Sequence, residues 1–297
     1  MYFIEMKLSK YIIIDILSFL SLKQLIKMEQ LNRFFMNIVR KNKWPHLIII
    51  SNKIKIIEHI LENYNFVNYN FSHSKITDVN MQSLRECRTL NLSYCNQITD
   101  DGVKILNNCY ILNLTNCKQI TDDSVKFLGN CHKLNLFGCK KITDVSVKLL
   151  GNCHTLNLTN CDKITDKSVK MLGKCHTLNL CGCLLITDIG VKMLRKCHTL
   201  NLSHCYKITD ESVKLLKTCH TLNLSYCDKI TDEGIKMLGN CHTLDLSHCK
   251  KITDESVKLL RNCHTLNIYG CQITYENTKL LKNCHSLNIF GWYWLIL

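Results

Sequence analysis

A 22-residue period runs through most of this chain and constrains its fold more than any other feature. One series of cysteines falls at Cys95, Cys117, Cys139, Cys161, Cys183, Cys205, Cys227, Cys249 and Cys271, always 22 residues apart. A second runs Cys87, Cys109, Cys131, Cys153, Cys175, Cys197, Cys219, Cys241 and Cys263, and reaches Cys284 after a one-residue deletion. Of the 20 cysteines, Cys181 alone lies outside both series. A period of this size is the mark of a solenoid and has to be read before any motif inside it. The unit is roughly C-H-T-L-N-L-S-x-C-x-K-I-T-D-x-S-V-K-x-L-x-N. L-N-L alternates apolar and polar, which predicts a short strand with both leucines on one face. D-x-S-V-K-x-L-L spaces its apolar residues three and four apart, as a helix does. Thr or Asp of I-T-D suits a helix N-cap. Gly or Asn at the far end, as in Gly239-Asn240, suits a stop. Each unit should therefore be strand, loop, short helix, turn.

The unit resembles the cysteine-containing class of leucine-rich repeat, whose hallmarks are L-x-L-x-x-C followed by I-T-D. The likeness covers about residues 69–290, with a unit about four residues shorter than is usual in that class. It implies an α/β horseshoe, a leucine-rich repeat solenoid with parallel strands on the concave face and short helices on the convex one. Eleven strands are expected, from Tyr69-Asn70-Phe71 to Leu287-Asn288-Ile289. At ~4.8 Å per strand they make an inner face on the order of 50 Å long. One unit cannot fold alone. Its large aliphatic side chains, such as Leu200, Leu202, Ile208, Val213 and Leu216, contribute roughly 1.5–3 kcal/mol each on burial. Ordering costs roughly 1–2 kcal/mol for every residue. Stacked neighbours supply the difference, and both ends then need caps. Residues 46–68, with a helical run Lys53–Asn63, fit the first cap, and the FGWYWLIL end, residues 291–297 above all, fits the second.

The stretch CHTLNLSHC at 197–205 looks like a zinc motif when read alone. Cys197 and Cys205 bracket a strand, however, and eight extended residues span roughly 26 Å. Zinc–sulfur bonds are about 2.3 Å. Stacked cysteines form continuous rows and not closed sets of four, so they read as small buried hydrophobes. Nine members in a row cannot pair completely as disulfides, which favours a reducing, intracellular setting. The histidines after the second cysteine series share their column with Arg88 and Tyr110, and so read as a partly exposed turn. No nucleophile–base pair, phosphate-binding glycine loop or distinctive carboxylate pair stands out from the repeat. The expectation is a binding protein, not an enzyme, with no metal and no cofactor.

The asparagines between the leucines should face outward and could bond to one another as a ladder. Departures from the period are the better candidates for substrate contacts: Ile111 and Lys133 in the threonine column, and Asp245 in the asparagine column. Four further sites place a non-consensus residue before a glycine: Phe137-Gly138, Cys181-Gly182, Tyr269-Gly270 and Phe290-Gly291. Drift among duplicated repeats is the competing reading. A lysine column, Lys104 through Lys258 and on to Lys279, stripes the helices. It could hold nucleic acid or another anionic surface, but without interleaved aromatics it reads as a solvated face. The net charge of +14 is spread along the chain. No run approaches the ~20 apolar residues of a membrane span, so no membrane partner is expected. The chain has no alanine and one proline, Pro45, a composition that fits an AT-rich genome such as that of some large DNA viruses or protists.

Residues 5–45 lack the period and show three amphipathic helical stretches near 10–20, 22–31 and 33–42. Pro45 after Trp44 suggests a boundary. The segment resembles an F-box. Leu8 matches the leucine of its opening Leu-Pro, with Ser9 in place of the proline. Ile12, Ile13, Ile16, Leu17, Phe19 and Leu20 keep the apolar register. Leu25 matches the Asp-Leu step with Gln24 replacing the aspartate, Leu31 the later valine, Asn32 the usual cysteine and Phe35 the usual tryptophan. F-box modules followed by cysteine-type leucine-rich repeats form a known family. The resemblance implies that Leu8, Ser9, Ile12, Ile13, Ile16, Leu17, Leu20, Leu25, Leu31 and Phe35 dock a Skp-family adaptor of a cullin-based ubiquitin ligase. The repeats would hold a protein substrate. An interaction scaffold with no ligase link is the alternative, and a nucleic-acid binder using the lysine stripe is a third reading.

Overall fold

The structure is a computed structural model that describes residues 10–50, 54–289 and 293–295. Helices α1 (Lys10–Ser18), α2 (Leu22–Glu29) and α3 (Arg33–Lys41) come first. Strand β1 (Lys43–Ile49), helix α4 (Ile54–Asn63) and strand β2 (Asn65–Asn70) follow. Ten three-residue strands then recur, from β3 (Thr89–Asn91) to β12 (Ser286–Asn288), and β13 (Tyr293–Leu295) ends the sheet. All lie in one sheet in sequence order. Every neighbouring pair is parallel except β12–β13, which is antiparallel.

The register explains the period. Leu200 pairs with Leu178 and Leu222, and Asn201 with Asn179 and Asn223. Each position of the unit thus becomes a straight column, and the two leucine columns are buried with the isoleucine, valine and cysteine columns up to the last repeat, where Cys271, Ile273 and Ile289 are half-buried. Between strands stand one-turn helices, from α5 (Asp100–Val103), α6 (Asp122–Val125), α7 (Asp144–Val147), α8 (Asp166–Val169) and α9 (Asp188–Val191) through α10 (Asp210–Val213), α11 (Asp232–Ile235), α12 (Val257–Leu260) and α13 (Tyr275–Thr278). Helical turns need more room than the ~4.8 Å between strands, so the sheet takes the concave side.

Three expectations change in detail. Among the described residues the parallel strands number twelve, β1 to β12, one more than the eleven expected, because β1 lacks the L-x-L pattern. Pro45 does not mark a boundary. It lies inside β1, the edge strand, where the sheet tolerates a missing N–H, and the pairing with β2 shifts register between Trp44 and Leu47. Gly239 is not a helix stop. A side chain there would sit 2.0 Å from the Leu259 carbonyl oxygen of the next repeat, so glycine permits close stacking.

The N-terminal helices join the same core. Leu17, Leu25, Ile38, Val39, Trp44 and Ile57 are buried with the repeat leucines. The Trp44 indole donates to the Val39 carbonyl at 2.7 Å. Glu29 accepts from Arg40 and from the Tyr64 hydroxyl, at 2.7 Å each, tying α2, α3 and the end of α4 together.

Candidate binding surface

Thr of I-T-D is the N-cap. From Thr99 to Thr253 its hydroxyl accepts from the N–H two residues on, as Thr209 does from Glu211 at 3.3 Å, while Thr77 and Thr274 at the two ends of the array make no such bond. The aspartate does something the sequence did not suggest: it reaches into the next repeat. Asp188 accepts from the Thr209 N–H at 2.9 Å, the Thr209 hydroxyl at 2.7 Å and the Ser212 hydroxyl at 2.6 Å. Asp100, Asp122 and Asp144 repeat the pattern. Partial burial opposes ionisation, but the hydroxyl and amide donors outweigh it and hold these carboxyls below their ordinary range. The aspartate column is therefore a stack of joints between repeats.

The thiols also join repeats. Cys95 donates to the Phe71 carbonyl at 3.1 Å, Cys117 to Leu92 at 3.1 Å and Cys205 to Leu180 at 3.4 Å. Burial pushes the Cys205 thiol up to about 12 and that of Cys241 to about 11. Such thiols are poor nucleophiles, since the thiolate is the reactive form.

The asparagine columns do not form the expected ladder. From Asn91 to Asn267 the amide oxygen is used inside its own repeat, where it accepts the N–H two residues on: Asn91 from Ser93 at 3.0 Å, Asn179 from Cys181 at 3.0 Å and Asn201 from Ser203 at 2.9 Å, whereas the buried Asn288 oxygen at the end of the column has no such donor. This is an Asx turn. Asp245 does the same for Ser247 at 2.9 Å, so it keeps the column's role while adding charge. One inter-repeat contact of the ladder kind is present among the described residues, from Asn223 to Asp245 at 3.4 Å.

After that turn the chain takes a left-handed residue in repeat after repeat. Tyr94 (φ 61°), His204 (59°), Tyr226 (61°) and His248 (59°) carry aromatic side chains there, while Gly138 (69°), Gly182 (70°) and Gly270 (75°) carry none. The aromatic members stack at ring distances of 4.3 Å for both His204–Tyr226 and Tyr226–His248, and Tyr269 meets His248 edge-on at 4.9 Å. The aromatic run begins at His204, the same position being Asn116, Gly138, Asn160 and Gly182 in the four repeats before it, and beside Gly182 lies a hollow of about 630 Å³ lined by Cys181, Asn160, Leu184, His204 and Tyr206.

The histidine column is a continuous stack. His132, His154, His176, His198, His220, His242, His264 and His285 follow one another at 4.4–4.8 Å. Tyr110 heads it 4.6 Å from His132, and the Arg88 guanidinium lies 5.3 Å over Tyr110. Arg, Tyr and His share a flat π system, so the position selects for planarity and not merely for exposure. Desolvation and neighbouring histidines hold His154 and His264 below the ordinary imidazole range.

The candidates named from sequence do not converge on one pocket. Ile111 and Lys133 are direct cross-strand partners, half-buried and exposed respectively, and half-buried Phe137 lies in the same repeat as Lys133. Cys181 is half-buried at the hollow, while Asp245 and exposed Tyr269 stand farther along. From the Ile111 strand to the Tyr269 strand is about 34 Å at ~4.8 Å per step. Phe290 lies outside the described residues.

In the N-terminal module, Leu8 and Ser9 lie outside the described residues. Ile12, Ile16 and Leu31 are exposed, Ile13, Leu20 and Phe35 are half-buried against the core, and Leu17 and Leu25 are inside it. The sequence reading left Tyr11 and Phe34 out of the docking set and used Phe19 only for register. The structure leaves Phe19 89% exposed, and Tyr11 and Phe34 are exposed as well. The signal available for them was their place on the polar side of each helical stripe.

A leucine-rich repeat family model matches residues 88–106, 154–173, 220–239 and 242–260. No curated protein matches the chain by sequence. Among solved structures, an internalin of Listeria monocytogenes is 20% identical with a TM-score of 0.62, over 91% of this chain and 81% of that one. A leucine-rich repeat protein of Leptospira interrogans is 20% identical with a TM-score of 0.58, over 87% and 74%. A structure of the Rad7 and Elc1 complex in yeast matches at 14% identity and a TM-score of 0.52, over 91% and 86%. The array is a leucine-rich repeat solenoid, an architecture that serves as a protein-interaction scaffold. These likenesses concern the fold alone.

Proposed function

We propose that this solenoid is a substrate-recognition adaptor of a Skp/cullin/F-box-type ubiquitin ligase. The observation that carries the reading is the two-sidedness of the N-terminal helices. Leu17, Leu25, Ile38 and Val39 enter the core, while Ile12, Ile16 and Phe34 on the same helices, and Phe19 and Leu31 in the turns that join them, remain exposed. A small helical module that keeps large apolar side chains in water suits a helix-in-groove contact. The concave face, from Ile111 and Lys133 past Cys181 to Asp245 and Tyr269, would then receive an extended protein substrate. This role would place the chain inside a cell, a setting compatible with its buried free thiols.

The second reading, a scaffold with no ligase link, is favoured by the continuity of the core: β1 extends the repeat sheet, so the helices also cap its first edge. A pulldown with a Skp-family adaptor separates the two. The adaptor reading expects capture by the natural chain and loss of capture for Ile12→Asp combined with Phe19→Asp, with unchanged circular dichroism. Absence of capture by the folded natural chain, or full capture by the double variant, would leave the scaffold reading.

A further inference from the structure

The outer face carries a charge pattern that the period does not explain. Three residues before the recurrent lysine, most repeats place an acid: Asp101, Asp123, Glu211, Glu233, Glu255 and Glu276. Five of these carboxylates hold their own lysine, for example Asp101–Lys104 at 2.6 Å and Glu211–Lys214 at 3.0 Å. Three consecutive repeats depart together, with Val145, Lys167 and Ile189 at that position. Lys148, Lys170 and Lys192 accordingly make no direct ion pair among the described residues, Lys192 keeping only a longer-range attraction to Asp188.

Two equivalent hollows show the effect. The one at α7 and α8, of about 310 Å³, is lined by Asp144, Val145, Lys148 and Lys167, two ammonium groups against one carboxylate. Its counterpart at α11 and the following repeat is lined by Asp232, Glu233, Lys236, Glu255 and Lys258, three carboxylates against two ammonium groups. The row beside the lysines is apolar and exposed along the array, at Phe127 and Met237 as at Met171, so what sets these repeats apart is exposed Val145 and Ile189 beside lysines that the acid no longer holds.

We propose that the outer face of α7, α8 and α9 is a peripheral contact for an anionic lipid surface. Unpaired ammonium groups would lie among the headgroups, with Val145 and Ile189 between them, and each lysine near such a surface strengthens binding about fivefold. Position supports the assignment. These are the third to fifth of the nine repeat helices, and a flat surface can touch a convex arc over only a few central repeats. Between the acidic repeats on either side, the three form one cationic and apolar island. A polyanion that reads charge alone would leave the exposed Val145 and Ile189 without a role, and no aromatic residue in these helices could stack on a base. The contact needs no span, and among the described residues no helix is long and apolar enough to cross a membrane. The lack of a spanning run, which argued against any membrane partner in the sequence, does not bear on surface docking.

The test uses the full chain, co-sedimented at ~0.1 M salt with vesicles of phosphatidylcholine alone or mixed with phosphatidylserine. Binding to the mixed vesicles only is expected. The variant V145E/K167E/I189E restores the acid of the flanking repeats on a backbone that already carries it, and should bind about 100-fold more weakly or worse. Reversing Lys229, Lys250 and Lys251, which lie off this face, should cost less than about tenfold. No binding to phosphatidylserine, undiminished binding by the triple variant, or a larger loss from the distant reversals would overturn the proposal. So would tighter binding of polyglutamate or single-stranded RNA than of vesicles, abolished by the same triple variant, since the face would then belong to an acidic protein or a nucleic acid.

Discussion

The repeat array and the N-terminal module bury comparable side chains by opposite means. In the array, a position is buried because its column is, and the same contacts recur at Leu178, Leu200 and Leu222. In the module each contact occurs once: a single Trp44 indole bond to Val39, a single Glu29 joint to Arg40 and Tyr64. Redundancy makes the array a sum of nearly equal neighbour terms, whereas the module depends on a few individual residues. The two regions should therefore fail differently.

Alkali should separate them most. The array holds the cysteines, and residues 1–86 have none. Burial lifts array thiols to about 11 or 12, as at Cys241 and Cys205, against roughly 8.5 in an unfolded chain. A raised folded value means that stability is intact below about pH 8.5 and is lost as pH climbs toward the folded values. Urea midpoints under reducing conditions should fall steeply from pH 8 to pH 11. A flat profile would show that the thiol columns are not buried as described. Next in size, Trp44→Ala should cost about 3–5 kcal/mol and loosen the module selectively. Hydrogen exchange at neutral pH should then rise in α1–α3 while β5 (Lys133–Asn135) onward stays protected.

Within the array, Asp188→Asn weakens one joint and should cost about 1–2 kcal/mol by urea denaturation. Because the joint carboxyls of Asp100, Asp122, Asp144 and Asp188 are held below their ordinary range, their contribution is present above about pH 4 and fades as pH falls further. The smallest effect should come from His198→Ala, about 0.5 kcal/mol for an exposed stacked ring. Depressed imidazole values at His154 and His264 predict a gentle loss of stability as pH drops below about 6.5, readable as a shift in Tm between pH 7.5 and 5.5.

The columns were legible in the sequence because in-register parallel strands convert a period into geometry without further information. The L-N-L stretch gave a strand one residue earlier, over T-L-N as at Thr199–Asn201, Thr became the cap, and Cys95 and Cys87 the heads of buried rows. What the sequence did not disclose were contacts between a residue and its neighbour in the next repeat. Asp188 looked like a cap because local spacing fits one, and only stacking brings Thr209 and Ser212 to it. The asparagine ladder failed for the reverse reason: a local N–H two residues on captures the oxygen first. Histidine stacking was hidden because Arg88 and Tyr110 were read by polarity when their shared property is flatness. In the module, helices could be placed by pattern, but which face stays wet could not, since no second copy exists to compare.

The aspartate joint also gives the array a direction. Each repeat offers a carboxylate forward and receives one from behind, so any interior unit has the same plug and socket as its neighbours. A segment of 22 residues cut at one joint and pasted at another would find its partners already in place. The chain can thus change length by copying itself, and a longer inner face would need no new interaction to be invented.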